Sequence, residues 1–186
     1  MKRHDDGAFD LAAWTSIPFG VVNLSEKYDG RSLTDSAYEK AVDEVRAALD
    51  QFGDPASLRE VFNAGDAHFL GTSGTVTSIA GVHLKLPRYR RDKVDGIWLT
   101  TDQANAVTSR LNQMTLSERA DEPCIGPDRA DLVVCGCAIL DALTRTWPVT
   151  RIRVADRGLR EGILAELAAS ARKARRRKRS RSSRTG

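Results

Sequence analysis

Strands alternating with helices predict an α/β layered domain. Three observations carry that expectation. Ala37, Tyr38, Ala41, Val42, Val45, Ala48, Leu49 and Phe52 recur at three- and four-residue spacing. A second run, Asp128–Trp147, is apolar on nearly every side between Leu132 and Leu143. Arg151–Ala155 alternates with β-branched residues at every second position. The first two periods are helical and the third is that of a strand.

In chain order, Asp6-Gly7 favours hairpin geometry, and Ala8–Phe19 reads as an extended segment after it. Thr34 precedes the first periodic helix, Asp35–Phe52, as its N-cap, and Gly53-Asp54-Pro55 stops it. Ala67–Leu70 is a short strand. Gly71-Thr72-Ser73-Gly74-Thr75 turns it into a helix reaching Leu84. Lys85–Lys93 is a basic, proline-containing loop. A helix over Asp102–Asn112 buries Ala104, Val107 and Leu111. Thr115-x-x-Glu118 is a capping box for one more turn. Gly126-Pro127 opens the Asp128–Trp147 helix, which should lie deep in the domain, with Pro148 after its end. The strand Arg151–Ala155 follows, and Asp156 caps a last helix from Arg157 through Leu167, with an extension into the tail as the longer alternative. No internal repeat is visible.

The 186 residues suit one domain, and 41% hydrophobic content is enough for a core. The formal charge of +4 conceals a split. Arg172–Gly186 holds nine bases and no acid, leaving 20 bases and 25 acids, or −5, on the preceding 171 residues. The chain thus reads as a domain over 1–171 and a basic, disordered tail over 172–186. A nucleic-acid reader with charge spread over a folded face is not what this distribution describes. The longest apolar stretch, Leu132–Leu140, is far short of a membrane span of about 20 residues. Asp5 and Asp6 stand where an export signal would turn apolar. A cytoplasmic location is expected.

Cys124, Cys135 and Cys137 show neither C-x-x-C nor zinc spacing and read as small, reduced core residues. His4, His68 and His83 are scattered, with no second ligand at metal spacing, so structural roles are expected and no metal ligand is assigned. No nucleophile–base–acid arrangement is readable by spacing, and no acid stands out as a general base.

Three segments have the chemistry to hold an anion. In Gly71-Thr72-Ser73-Gly74-Thr75, two glycines permit a tight turn after a strand, and the next helix starts with unpaired amides that suit a phosphate. The alternative is an ordinary strand-to-helix turn with hydroxyl capping. No Gly-Lys-Ser/Thr follows, so this is not a Walker A loop. In Arg153–Gly162, Arg157 and Arg160 lie three residues apart and either clamp an anion or pair with surface carboxylates. In Cys124–Asp131, Arg129 and Asp131 sit in the first turn of the buried helix, where capping electrostatics explain the acid. Asp141 and Arg145 read as a surface i,i+4 pair.

In this order the segments resemble the second half of the exopolyphosphatase/guanosine pentaphosphate phosphohydrolase (Ppx/GppA) family. The carriers are Trp14-Thr15-Ser16-Ile17-Pro18-Phe19-Gly20-Val21-Val22, Gly71–Thr77, Asp95-Gly96-Ile97-Trp98, Ile125–Asp131 and Arg153–Gly162. The resemblance implies an actin/hexokinase-type fold of two ribonuclease-H-like domains with the active site between them. It also implies hydrolysis of terminal phosphoanhydrides of polyphosphate or pppGpp, with Mg²⁺ and a carboxylate that activates water. A bacterial source is implied as well. Carried onto this chain, the phosphate- or nucleotide-binding candidates are Gly71, Thr72, Ser73, Gly74, Thr75, Arg129, Arg157 and Arg160.

The family's first domain, its catalytic glutamate and its Asp-x-Gly-Gly-Gly-Ser loop have no counterpart here, so no catalytic residue and no Mg²⁺ ligand is carried over. The expectation is a partial ribonuclease-H-like domain lacking its first strands, inactive alone. It would work with a separate N-terminal half or a homodimer partner. The missing strands lie between a third strand, Ala8–Phe19, and a fourth, Ala67–Leu70. Either the sheet closes differently, or another chain supplies those strands, or the truncated product folds poorly. A reading from another class is a non-catalytic module whose basic residues, Arg172 to Arg184, hold a polyanion such as polyphosphate or RNA. Its affinity would then fall steeply with salt. The tail has no aromatic for base stacking, and a solubilising role is its plain alternative.

Overall fold

The computed structural model describes residues 2–3, 9–53 and 58–182, with side-chain surroundings for 11–53 and 58–172. The Asp6-Gly7 turn, the Asp54-Pro55 stop, His4 and Arg184 lie outside the described residues. At the amino end, β1 (Lys2–Arg3) pairs antiparallel with β2 (Phe9–Asp10). From Leu11 to Gly20 the chain forms no strand. The extended segment expected over Ala8–Phe19 is thus a two-residue strand followed by irregular chain. No strand among the described residues pairs with Leu11–Phe19, and Trp14 stays 75% exposed.

Helix α1 (Val21–Tyr28) is followed by α2 (Asp35–Asp50). Thr34 caps α2 as expected, its hydroxyl accepting from the Ala37 amide at 3.2 Å. Tyr38, Ala41, Val42, Val45 and Leu49 form the buried stripe of α2. After α3 (Leu58–Asn63) come β3 (Phe69–Gly71) and α4 (Gly74–His83). Every residue of α4 from Val76 to Val82 is buried. A short α5 (Arg91–Val94) interrupts the expected basic loop and leads to β4 (Trp98–Thr100). Thr100 ends β4 and also opens α6 (Thr101–Gln113). Its hydroxyl accepts from the Gln103 amide at 3.1 Å, and its own amide donates to Gln103 Oε1 at 2.9 Å. The Thr115–Glu118 capping box starts α7 (Leu116–Asp121).

The buried helix departs from expectation at its start. Gly126, at φ +75°, leads into a 3₁₀ turn over Pro127–Arg129, and α8 begins only at Val133 and runs to Thr146. Ser25 holds the Asp131 carbonyl at 3.2 Å, which fixes the chain between turn and helix. Arg129 therefore stands on the 3₁₀ turn, before the helix proper. Strand β5 (Arg151–Val154) precedes α9 (Leu159–Ser182). Asp156 does not cap α9. Its carboxylate accepts from Tyr89 Oη at 2.8 Å and faces Arg91 at 3.3 Å, while Glu161 reaches back to the Gly158 amide at 2.8 Å. The α9 backbone stays helical through Ser182, so much of the basic run continues a helix. Lys, Arg and Ala favour helix, and no Gly or Pro lies between Gly162 and Ser182.

The sheet order is β3-β5-β4, with β3 parallel and β4 antiparallel to the central β5. Phe69, Ile152 and Leu99 share one face and turn inward. Leu70, Arg153 and Trp98 form the neighbouring row on the other face. Helices α2, α4, α6 and α8 lie behind the inner face, and α8 is as deep as its composition demands. Trp147 closes the core against Phe62 and Phe52, with ring centroids 6.4 Å away in both cases. Beside β3, a groove of about 500 Å³ is lined by Trp14, Phe19, Phe52, Phe62, Phe69 and Trp147, among others. No helix among the described residues is long and apolar enough to cross a membrane.

Candidate functional site

A cavity of about 250 Å³ opens where the start of α4 meets the turn before α8. Its lining is Val21, Ser73, Gly74, Thr75, Ser78, Arg129, Leu132 and Val133. Ser73 is the N-cap of α4, its hydroxyl accepting from the Val76 amide at 3.3 Å. Thr77 donates to the Gly74 carbonyl at 3.0 Å and binds the first turn together. The amides of Gly74 and Thr75, at the positive end of a ten-residue helix, have no partner among the described residues. Such amides favour an anion.

A second helix start converges on the same place. Val21, the first residue of α1, lines this cavity and an adjoining one of about 250 Å³ that also contains Gly20, Ser73, Thr75 and Gly136. The entry to α1 is fixed locally. The Gly20 amide donates to Asn23 Oδ1 at 2.7 Å, and Asn23 Nδ2 donates to the Pro18 carbonyl at 2.8 Å.

The one charged group in the lining is Arg129. A Cβ built at Gly74 would lie 3.8 Å from Arg129 Nη1, so the guanidinium sits over the α4 terminus, with Ser78 Oγ 3.5 Å away. Behind this turn, Arg119 is 3% exposed and donates to the Arg31 carbonyl at 3.1 Å, while its Nε has no partner. Burial pulls its guanidinium below the ordinary value. On the opposite wall, α8 approaches α4 closely because position 136 is glycine. A Cβ there would meet Thr75 Oγ1 head-on, with Thr75 Cγ2 at 2.8 Å.

Of the residues expected at an anion site, the cavity gathers Ser73, Gly74, Thr75 and Arg129. Gly71 ends β3 and Thr72 follows it, both outside the lining. Arg157 lies before α9 and pairs with Asp95 at 3.3 Å. The same carboxylate accepts from the Asp156 amide at 3.0 Å, and these partners hold Asp95 below the usual carboxylate range. Arg160 is exposed in the first turn of α9. Sequence reasoning missed Val21, Ser78, Leu132 and Val133. Ser78 alone had a local signal, standing one helical turn after Gly74.

The lining offers amides, hydroxyls and one guanidinium, but no carboxylate, imidazole or thiol. Such a set binds and orients oxyanions. It holds no group that would take a proton from water. Mg²⁺ does not fit this donor set either. Hard oxygen anions are absent from the lining, and no group of three or more His, Cys, Asp or Glu among the described residues would hold a metal ion. The cysteines are buried and unpaired, with Cys135 pushed up to about 11 and Cys137 to about 12 by burial.

The model of the Ppx/GppA phosphatase family matches residues 7–171. Among solved structures, the Aquifex aeolicus Ppx/GppA phosphatase superposes with a TM-score of 0.70 at 23% identity, over 82% of this chain and 48% of that one. An exopolyphosphatase-like protein gives 0.70 at 24% identity, over 82% and 49%. An exopolyphosphatase from Cytophaga hutchinsonii gives 0.67 at 18% identity, over 84% and 49%. These likenesses establish an actin/ribonuclease-H-like α/β arrangement. The chain spans about half the length of the structures it matches.

Proposed function

This chain belongs to the Ppx/GppA phosphatase family, and on that premise we propose that it is the phosphate-gripping half of a phosphoanhydride hydrolase acting on polyphosphate or a guanosine pentaphosphate. The observation that carries the reading is the meeting of two helix starts, Val21 and Ser73–Thr75, under the Arg129 guanidinium. A chain of phosphates presents several oxyanions in a row. Two unpaired amides, neutral hydroxyls and one fixed cation complement them without a metal of their own.

Bond cleavage needs a group to activate water, and this cavity has none. The activating carboxylate and any Mg²⁺ ligands are assigned to a complementing polypeptide that resembles the family's first half. The open β3 edge, the apolar groove beside it and the exposed α9 side chains Leu159, Leu164 and Leu167 support that assignment. Within the site, Ser73 and Thr75 orient the anion, Arg129 neutralises it, and Leu132 and Val133 exclude water from one side.

Two measurements test the reading. Calorimetric titration with a short polyphosphate should show binding that Arg129→Gln weakens by roughly ten- to a hundredfold, the worth of a charge-assisted hydrogen bond. Unchanged affinity in that variant would remove the cavity from consideration. Phosphate release should appear only when a family first half is added in trans with Mg²⁺. No gain over either half alone defeats the complementation.

A further inference from the structure

The outer face of the sheet carries a cluster that the phosphate cavity does not use. Trp98 is 41% exposed on β4, the edge strand opposite β3. The register pairs it with Arg153 on β5, and Arg151 lies two residues away on the same face. Both guanidiniums lie against the indole, with Cζ 4.5 Å from the ring centroid for Arg151 and 5.1 Å for Arg153. The exposed His68 ring approaches edge-on, its centroid 4.7 Å from that of the indole. Gly96 makes room for this arrangement. Its φ of +83° suits glycine, and a Cβ there would press Arg153 Nη2 at 3.3 Å.

Arginines of the described body divide into those neutralised by an acid and those, such as Arg31 and Arg88, that are not. Arg91, Arg110, Arg145 and Arg157 each meet an acid. Neither Arg151 nor Arg153 makes an ion pair among the described residues, although the body of the chain is acidic overall. An open sheet face with one accessible indole flanked by two unneutralised guanidiniums presents stacking surfaces and phosphate donors side by side. That combination recognises a flexible strand whose bases are free to stack and whose phosphates repeat at short intervals. A rigid duplex keeps its bases out of reach of a flat surface. Inorganic polyphosphate has no π-face to offer the indole.

We propose that this face is a binding site for single-stranded nucleic acid, with a base stacked at Trp98 and adjacent phosphates on Arg151 and Arg153. The strand leaving β5 continues into α9, whose sequence supplies the basic run from Arg172 onward. Trp98 supplies the aromatic partner that the basic run lacks, and the site stands independently of the phosphate cavity.

The test uses the full chain and a fluorescein-labelled oligouridylate of about twelve nucleotides, read by anisotropy. Polyphosphate of similar length serves as the second ligand. Trp98→Leu should weaken oligouridylate binding by roughly tenfold, within the range for one stacked base, and leave polyphosphate binding unchanged. Arg151→Gln combined with Arg153→Gln should also weaken it. That double change should flatten the dependence of log K on log salt by about 1.4, the contribution of two phosphates on a single strand. These arginines are exposed or half-buried, so the double variant tests the site even if Trp98→Leu fails to fold. Undetectable oligouridylate binding, equal binding by Trp98→Leu and the wild type, or an equal loss for polyphosphate would each overturn the proposal.

Discussion

The two sides of the small sheet are built to different standards. Behind the inner face, Leu24, Ile79, Leu99, Leu111 and Ile152 are at most 1% exposed, and α4 and α8 approach closely at Gly136. By contrast, Leu70 on the outer face is 60% exposed, and α9, elsewhere in the chain, carries Leu159, Ile163, Leu164 and Leu167 between 48% and 80% exposed. The same chain thus joins a finished core to a surface whose apolar content is high for a free monomer. Stability should reside almost wholly on the inner side, and association on these exposed side chains.

The largest effect comes from the inner side. Ile79→Ala should cost about 2–5 kcal/mol by urea denaturation, the ordinary loss for emptying a packed site. The exposed counterpart sharpens the contrast. Leu164→Ser should change the unfolding free energy by less than about 0.5 kcal/mol, while sedimentation velocity shows less self-association. A large stability loss from Leu164→Ser would break the comparison by showing that α9 is already buried in solution. Next in size, Gly136→Ala should cost about 1–3 kcal/mol by forcing a methyl against Thr75. It should also weaken polyphosphate binding, because Thr75 lines the cavity. Ser73→Ala removes the α4 cap and should cost about 1 kcal/mol of stability.

Another small effect is electrostatic. Arg145 bridges Glu39 at 2.6 Å and Asp141 at 3.0 Å, and Tyr38 also donates to Asp141 at 3.1 Å. The Arg145 contact holds Glu39 below its ordinary value of 4.5. A lowered carboxylate stabilises the fold above that ordinary value, and the contribution disappears as pH falls through the lowered one. Because both side chains are partly exposed, the loss should be under about 1 kcal/mol. Comparing acid unfolding of the wild type with Glu39→Gln isolates it: the variant should lack that increment of acid sensitivity.

The legibility of these features follows how local each one is. The Thr34 and Thr115 caps and the buried runs of α2 and α8 depend on residues a few positions apart, and sequence reasoning found them. The Gly71–Thr75 turn was legible as a candidate for the same reason. Helix α1 and β4 escaped notice. One has eight residues and the other three, too few for a period to declare itself. The use of Asp156 also escaped, because its partners, Tyr89 and Arg91, arrive from sixty or more residues away. The role of Val21 at the cavity, the approach of Gly136 to Thr75 and the Arg151–Trp98 stack are all made by distant segments. Patterns along the chain do not encode them.

The strand order has a temporal consequence. Strand β5 emerges after the other strands among the described residues, yet it lies in the middle, with β3 on one side and β4 on the other. Until Arg151–Val154 has emerged, β3 and β4 have no strand to join them, and the helices between them must wait without a sheet to cover. Such long-range pairing slows folding and prolongs the exposure of apolar surface. During synthesis the inner side is therefore as uncovered as the outer side remains afterwards.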